Sequence, residues 1–326
     1  MLSFAVIGAG RIGRIHAANI AANPAAHLVG VADVDAAAAE ALAHSCGTHA
    51  ITLDAAFTAD AVLIGSPTPT HADYIERAAS AGRAIFCEKP IDLSVERVRA
   101  CLAAVQRAGV VLMVGFNRRF DPHFLTLKRR LDAGEIGALE LLTIFSRDPG
   151  PPPLSYIASS GGLFRDMMIH DLDMARFLLG EEPVELHAAA SCLVDPAIGA
   201  AGDVDTAVVT LRTGSGKLCQ ISNSRRATYG YDQRIEAHGA KGLLRAGNVT
   251  PTTVELANES GFTSDPVLPF FLERYAAAYR AELDAFIAAV THNTAPLPNG
   301  EDGLRALVLA DAATESARTG TTIRLT

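Results

Sequence analysis

Between Leu2 and about Gly115 the chain alternates short runs of Val, Ile and Leu with longer Ala-rich segments whose apolar positions recur at helical spacing. That alternation predicts parallel strands joined by crossover helices, a doubly wound α/β sheet. Strands are expected at Ser3–Ile7, Leu28–Ala32, Ala61–Ile64, Ala84–Cys87 and Val110–Val114, with a weaker one near Ala50–Thr52. Helices are expected over Ile12–Ala22, Ala36–His44, Ala72–Ala81 and Val95–Ala108.

After Phe120 the pattern changes. Strands at Leu139–Phe145, Val184–Leu193, Thr206–Arg212, Lys217–Asn223 and Gln233–His238 follow one another, two of the links being short turns, Thr213-Gly214-Ser215-Gly216 and Gly239-Ala240-Lys241-Gly242. An antiparallel sheet is the simplest arrangement for such strands. One helix is expected over Leu163–Leu179, and two more near Tyr275–Val290 and Leu304–Ser316 close the chain. The run Pro149-Gly150-Pro151-Pro152-Pro153 lacks backbone donors at three successive positions and reads as a loop near a ligand or subunit contact. The expected division is a parallel-sheet domain over residues 1–120 and a second α+β domain over residues 121–326.

Composition narrows the function. With 326 residues, 49% hydrophobic and 20% charged, the chain can bury two cores and is not a disordered segment. Lys plus Arg total 28 against 36 Asp plus Glu, a net charge of -8, so neither nucleic acid nor an anionic membrane is an expected partner. No apolar run is long enough to span a bilayer, and the N-terminus lacks a basic region before its short apolar stretch. The five cysteines are scattered, odd in number and without zinc-type spacing, as expected of buried thiols in a reducing compartment. A cytoplasmic location is the expectation.

The first chemistry-bearing motif is Gly8-Ala9-Gly10-Arg11-Ile12-Gly13, which follows a predicted strand and opens a predicted helix. In a dinucleotide site Gly8 permits the tight turn, Gly10 lets backbone approach a pyrophosphate, and Gly13 allows close helix packing. Asp33 ends the second strand, where a carboxylate can accept hydrogen bonds from ribose hydroxyls; the other reading is that it merely starts a turn. A 2'-phosphate would be repelled there and neither Val34 nor Asp35 could bind it, which points to NAD. Ser66, Pro67, Thr68 and His71 follow the next strand and Glu88 and Lys89 the one after, both at carboxyl ends, where such sheets bind ligands.

Asp166, His170 and Asp173 are spaced i, i+4, i+7 on a segment whose remainder is largely apolar, and so would share one face of a continuous helix. That stripe could face water. It could hold a divalent metal, but no second histidine stands at ligand spacing, and no metal is expected. It could also be catalytic: His170 can take a hydroxyl proton near neutral pH, Asp166 can orient the ring, and Lys89 can supply positive charge beside a developing alkoxide.

Taken with Arg14-Ile15-His16, Glu88-Lys89-Pro90 and Gly161-Gly162, these segments resemble the superfamily of glucose-fructose oxidoreductase, inositol dehydrogenase and rhizopine catabolism proteins, Gfo/Idh/MocA. Within it, Ser146-Arg147-Asp148-Pro149, Met167-Met168-Ile169-His170-Asp171 and Tyr229-Gly230-Tyr231-Asp232-Gln233-Arg234 resemble the inositol 2-dehydrogenase branch. The resemblance implies a Rossmann domain, a C-terminal domain with a large open antiparallel sheet, homotetramers built on that sheet, and a catalytic set of Lys89, Asp166 and His170. It implies NAD-dependent oxidation of myo-inositol to 2-keto-myo-inositol. Asn117, Asp148 and Tyr229 are candidates for further hydroxyl contacts, the other reading being ordinary loop roles. Ser146 and Asp148 stand where some members carry His and Asn, so scyllo-inositol, chiro-inositol or an aldose such as glucose are alternative substrates. A dinucleotide-binding regulator without turnover is the rival of another class, and the intact Lys89, Asp166 and His170 set argues against it.

Overall fold

The computed structural model describes residues 1–325, all but Ala158 with their side chains. Two compact units emerge, Met1–Phe120 with Ala278–Leu307, and Asp121–Ala277 with Val308–Thr326. Of the two closing helices, the first from Ala278 onward and the start of the second belong to the first unit.

In the first unit the elements are β1 (Leu2–Ile7), α1 (Arg11–Ala22), β2 (Ala26–Ala32), α2 (Ala36–Ser45), α3 (Leu53–Ala56), β3 (Ala61–Ile64), α4 (His71–Ser80), β4 (Ala84–Glu88), α5 (Val95–Ala108) and β5 (Leu112–Gly115). The strands pair in parallel in the order β2-β1-β3-β4-β5. Every residue of β3, β4 and β5 is buried, as continuous apolar strands covered on both faces must be. The weak strand expected near Ala50–Thr52 does not form. It survives as a single parallel bridge, Val31↔Ala50, on the outer edge of β2. That is the position of the third strand in a doubly wound dinucleotide fold, reduced here because Leu53 already begins α3 behind a Thr52 cap.

The second unit runs through α6 (Pro122–Asp132), β6 (Leu139–Arg147), α7 (Leu154–Ser160), α8 (Gly162–Asp166), α9 (Ile169–Leu179), β7 (Pro183–Ser191), α10 (Pro196–Ala200), β8 (Thr206–Thr213), β9 (Leu218–Ser224), β10 (Asp232–Gly239), β11 (Gly242–Ala246), the hairpin β12 (Glu255–Asn258) and β13 (Gly261–Ser264), and α11 (Phe271–Arg274). α12 (Ala276–His292) and α13 (Gly300–Thr319) follow, and β14 (Ile323–Arg324) pairs with β7. The seven-stranded order is β11-β10-β6-β9-β8-β7-β14. The hairpin turns at Thr213–Gly216 and Gly239–Gly242 lie where expected, but the sheet is mixed, because β6 and β9 pair in parallel. A hairpin forces reversal of direction, whereas the long excursion from β6 to β9 through α7, α8, α9, β7 and β8 does not.

The single helix expected over Leu163–Leu179 is two. α8 ends at Asp166 and α9 starts at Ile169. Leu163 O accepts the N–H groups of both Met167 and Met168, at 3.0 and 2.9 Å, and Met168 O then starts the next helix by accepting from Leu172 at 2.9 Å. The i, i+4, i+7 stripe is therefore broken. Asp173 is buried, 3.8 Å from Arg176, and faces no solvent.

Candidate active site

The glycine loop sits at the carboxyl end of β1, and its geometry requires glycine. Gly8 has φ 109°, and a Cβ there would stand 2.6 Å from the carbonyl carbon of Gly65 after β3. A Cβ on Gly13 would fall 1.9 Å from Gly8 O. Gly10 differs: nothing lies within 4 Å of its would-be Cβ, and it begins α1 without a side-chain cap. An open approach to an uncapped helix N-terminus is what a pyrophosphate requires. Arg11 is exposed and Ile12 half-buried at this rim.

Asp33 closes the loop from β2. One of its oxygens accepts the N–H of Ala9 at 2.6 Å and the other that of Asp35 at 2.9 Å. It does shape a turn, as one reading held, and it also ties the glycine loop to the end of β2. Each oxygen keeps a lone pair for a further donor.

Beyond β3, Pro67 and Thr68 lead into α4, and Ser66 Oγ lies 2.7 Å from Thr70 Oγ1. His71 and Glu88, expected among the cofactor contacts, turn inward. The His71 ring spans two loops, with Nδ1 2.8 Å from Pro90 O and Nε2 2.7 Å from Ser66 O. Glu88 Oε1 lies 2.7 Å from His16 Nε2, and Oε2 accepts the N–H of Lys89 at 3.3 Å. Lys89 is half-buried directly after β4, and Asn117 is buried just past β5. Thus every expected group of this unit lies along the carboxyl edge of one sheet.

In the second unit Asp166 and His170 flank the break between α8 and α9, both half-buried. Tyr156 donates its hydroxyl to Asp166 Oδ1 at 2.9 Å, while the guanidinium of Arg225 lies 3.9 Å from Oδ2. Arg225 is 1% exposed and also lies 3.5 Å from Asp203, whose Oδ1 accepts the N–H of Leu163 at 2.9 Å. The parallel pairing brings the ends of β6 and β9 to one edge, where Asp148 donates its N–H to Ser224 O at 3.0 Å. Tyr229 donates to Asp232 at 2.6 Å and accepts from Arg147 at 3.0 Å. Asp148, Asp166 and Tyr229 are thereby gathered around the ends of β6 and β9 and the start of β10.

Residues 2–116 match the model of an oxidoreductase family's NAD-binding Rossmann fold, and residues 128–325 match that of its C-terminal alpha/beta domain. The chain belongs to the Gfo/Idh/MocA oxidoreductase family. It is 57% identical over 316 residues to the inositol 2-dehydrogenase of Rhizobium meliloti, covering 96% of each chain. Among solved structures, the myo-inositol dehydrogenase of Corynebacterium glutamicum superposes with a TM-score of 0.96 at 49% identity, covering 100% of this chain and 99% of that one. The scyllo-inositol dehydrogenase of Lactobacillus casei, solved with NAD(H) and scyllo-inositol bound, gives 0.91 at 30% identity and 99% of both chains. This Gfo/Idh/MocA member is an NAD-dependent oxidoreductase, and the open face at Gly10 together with the Asp33 anchor fits that cofactor.

Sequence reasoning missed Tyr156, Arg225 and Asp203, which hold Asp166 and the start of α8. Their separations from Asp166 follow no helical or strand period; the only signal was a Tyr close behind the proline run. Of the five thiols, Cys46 and Cys192 are only half-buried, and none forms a disulfide. Among the described residues no helix is long and apolar enough to cross a membrane.

Proposed function

We propose that this oxidoreductase oxidises the axial hydroxyl of myo-inositol to 2-keto-myo-inositol, with Lys89, Asp166 and His170 serving the reacting hydroxyl. The observation that carries this reading is the end-to-end likeness to an inositol 2-dehydrogenase, 57% over 96% of both chains, in a chain that carries Lys89, Asp166 and His170. When bound, NAD supplies the hydride acceptor.

In this reading His170 takes the hydroxyl proton, a task suited to an imidazole near neutral pH. The Lys89 ammonium hydrogen-bonds the same oxygen and stabilises negative charge as the proton leaves. Asp166 is held from two sides by Tyr156 and Arg225, and this fixed carboxylate favours the charged imidazolium. Asn117, Asp148 and Tyr229 contact the remaining hydroxyls. The working assembly is a homotetramer built through the open face of the seven-stranded sheet.

Initial rates with NAD on a panel of myo-inositol, scyllo-inositol, chiro-inositol and glucose test the assignment. Highest kcat/KM on myo-inositol is expected. Preference for scyllo-inositol would move the chain toward the Lactobacillus casei relative, and no turnover of any polyol would favour a dinucleotide-binding regulator.

A further inference from the structure

Behind the carboxyl edge of the first sheet lies a buried polar cluster with no counterpart in the proposed chemistry. His16 from α1, Glu88 from β4 and Glu282 from α12 each offer one atom to a group whose members lie within 4.8 Å of one another. His16 and Glu282 are 0% exposed and Glu88 7%. The walls are aromatic: Phe86 and Tyr279 pack on the His16 ring at 5.1 and 5.6 Å, and Phe286 packs on Phe4 and Phe86.

The hydrogen inventory of this cluster is incomplete. His16 Nε2 and Glu88 Oε1, 2.7 Å apart, share one proton. With that proton on Nε2, Nδ1 is an acceptor, and among the described residues it has no hydrogen-bonding partner. Neither oxygen of Glu282 has one either. An ionised carboxylate in apolar surroundings beside a second carboxylate is strongly disfavoured. A metal ion fits poorly, because ligands on a tetrahedral zinc stand about 3.3 Å apart at metal-ligand distances near 2.0 Å, wider than the His16–Glu88 contact. One added proton on Glu282 removes that charge.

We propose that Glu282 is a neutral carboxylic acid in the folded protein, and that the His16–Glu88–Glu282 cluster is a positioning element for Lys89. Glu88 is the link, since its other oxygen holds the N–H of Lys89. Burial, with the charge of Glu88 added, pushes the Glu282 carboxyl well above the ordinary glutamate value. The titratable groups facing it are Glu88 from β4 and His16 from α1, with Tyr279 one turn earlier on α12; β1 contributes Phe4, which is apolar. The sequence carried a trace of this, because Glu282 falls on the same helical stripe as Ala278, Tyr279, Leu283 and Phe286.

The positioning role rests on the proposed oxidation, whereas the protonation does not, so the test has two parts. Infrared difference spectra of the intact protein at neutral pH, wild type minus Glu282→Gln, should show the C=O stretch of a protonated carboxylic acid in the wild type only. A raised acid pKa gives stability present below the ordinary value of 4.5 and lost as pH rises toward the folded value. The thermal midpoint of Glu282→Gln should therefore gain on that of wild type as pH rises above 5. Absence of the band, a gain independent of pH, or zinc or manganese bound stoichiometrically by wild type and lost in the variant would overturn the protonation. In turnover with NAD and inositol, the alkaline limb of kcat should move to higher pH in Glu282→Gln. An identical limb, with the infrared band confirmed, would overturn the positioning role alone.

Discussion

The carboxylate of Asp33 accepts the backbone N–H of Ala9 at 2.6 Å, so the residue expected to read the ribose also holds the loop expected to cradle the pyrophosphate. Two jobs on one side chain make its substitution informative. Removing a charged hydrogen-bond partner costs about 1.5–3 kcal/mol, roughly ten- to hundredfold in affinity. Asp33→Ala should raise KM for NAD by about that factor, and the ratio of kcat/KM for NADP to that for NAD should rise. If both cofactors decline in parallel, Asp33 acts on the loop alone.

Gly10 and Gly13 should respond differently to alanine. The Cβ of Gly10→Ala meets nothing, so its unfolding midpoint should stay close to wild type, within about 0.5 kcal/mol, while NAD binding weakens. Gly13→Ala drives a methyl to 1.9 Å from Gly8 O and should lower the midpoint as well. Calorimetric unfolding with and without NAD separates the two, and a Gly10→Ala protein that binds NAD normally would place the pyrophosphate elsewhere.

Removing the proposed proton acceptor should reduce kcat more than binding. His170→Ala is expected to lower turnover by about 10²-fold or more, the usual contribution of a positioned base. Lys89→Met should also lower kcat, with NAD affinity measured separately by fluorescence titration. Near-wild-type turnover in His170→Ala would exclude it as the base.

His71 links stability to pH. Burial lowers its pKa below 6.5, although the carbonyls of Pro90 and Ser66, one on each ring nitrogen, oppose that shift. A depressed histidine pKa gives stability that is full above the unfolded value and lost as pH falls through the folded one. The thermal midpoint should decline below about pH 6.5, and His71→Gln should flatten that decline. An unchanged slope in the variant would assign the acid sensitivity to other groups.

The first unit was legible in the sequence because its signals are local. Each buried strand is a largely apolar run ending at glycine or a small polar cluster, and Gly8 and Gly13 each meet a specific steric demand while Gly10 leaves the loop open. What stayed hidden depends on contacts made over distance. Nothing in Leu163–Leu179 marks the break at Met167 and Met168, since the stretch contains no glycine or proline. The start of α8 is set by Asp203, 40 residues further on. His71 reads in the sequence as a ligand contact, and only packing shows it enclosed, while the stripe that holds Glu282 does not name the partners it meets.

The same-direction pairing of β6 with β9 has a consequence for changing what this protein recognises. Had the two strands run oppositely, the segments that follow them would leave at opposite rims of the sheet. Instead Asp148 and Arg225 emerge side by side, with Tyr229 close behind. Under the proposed function, swapping the stretches 148–153 and 226–231 together, as a matched cassette, is therefore the rational unit of redesign for a new sugar alcohol, while the glycine turn and its nucleotide preference stay untouched.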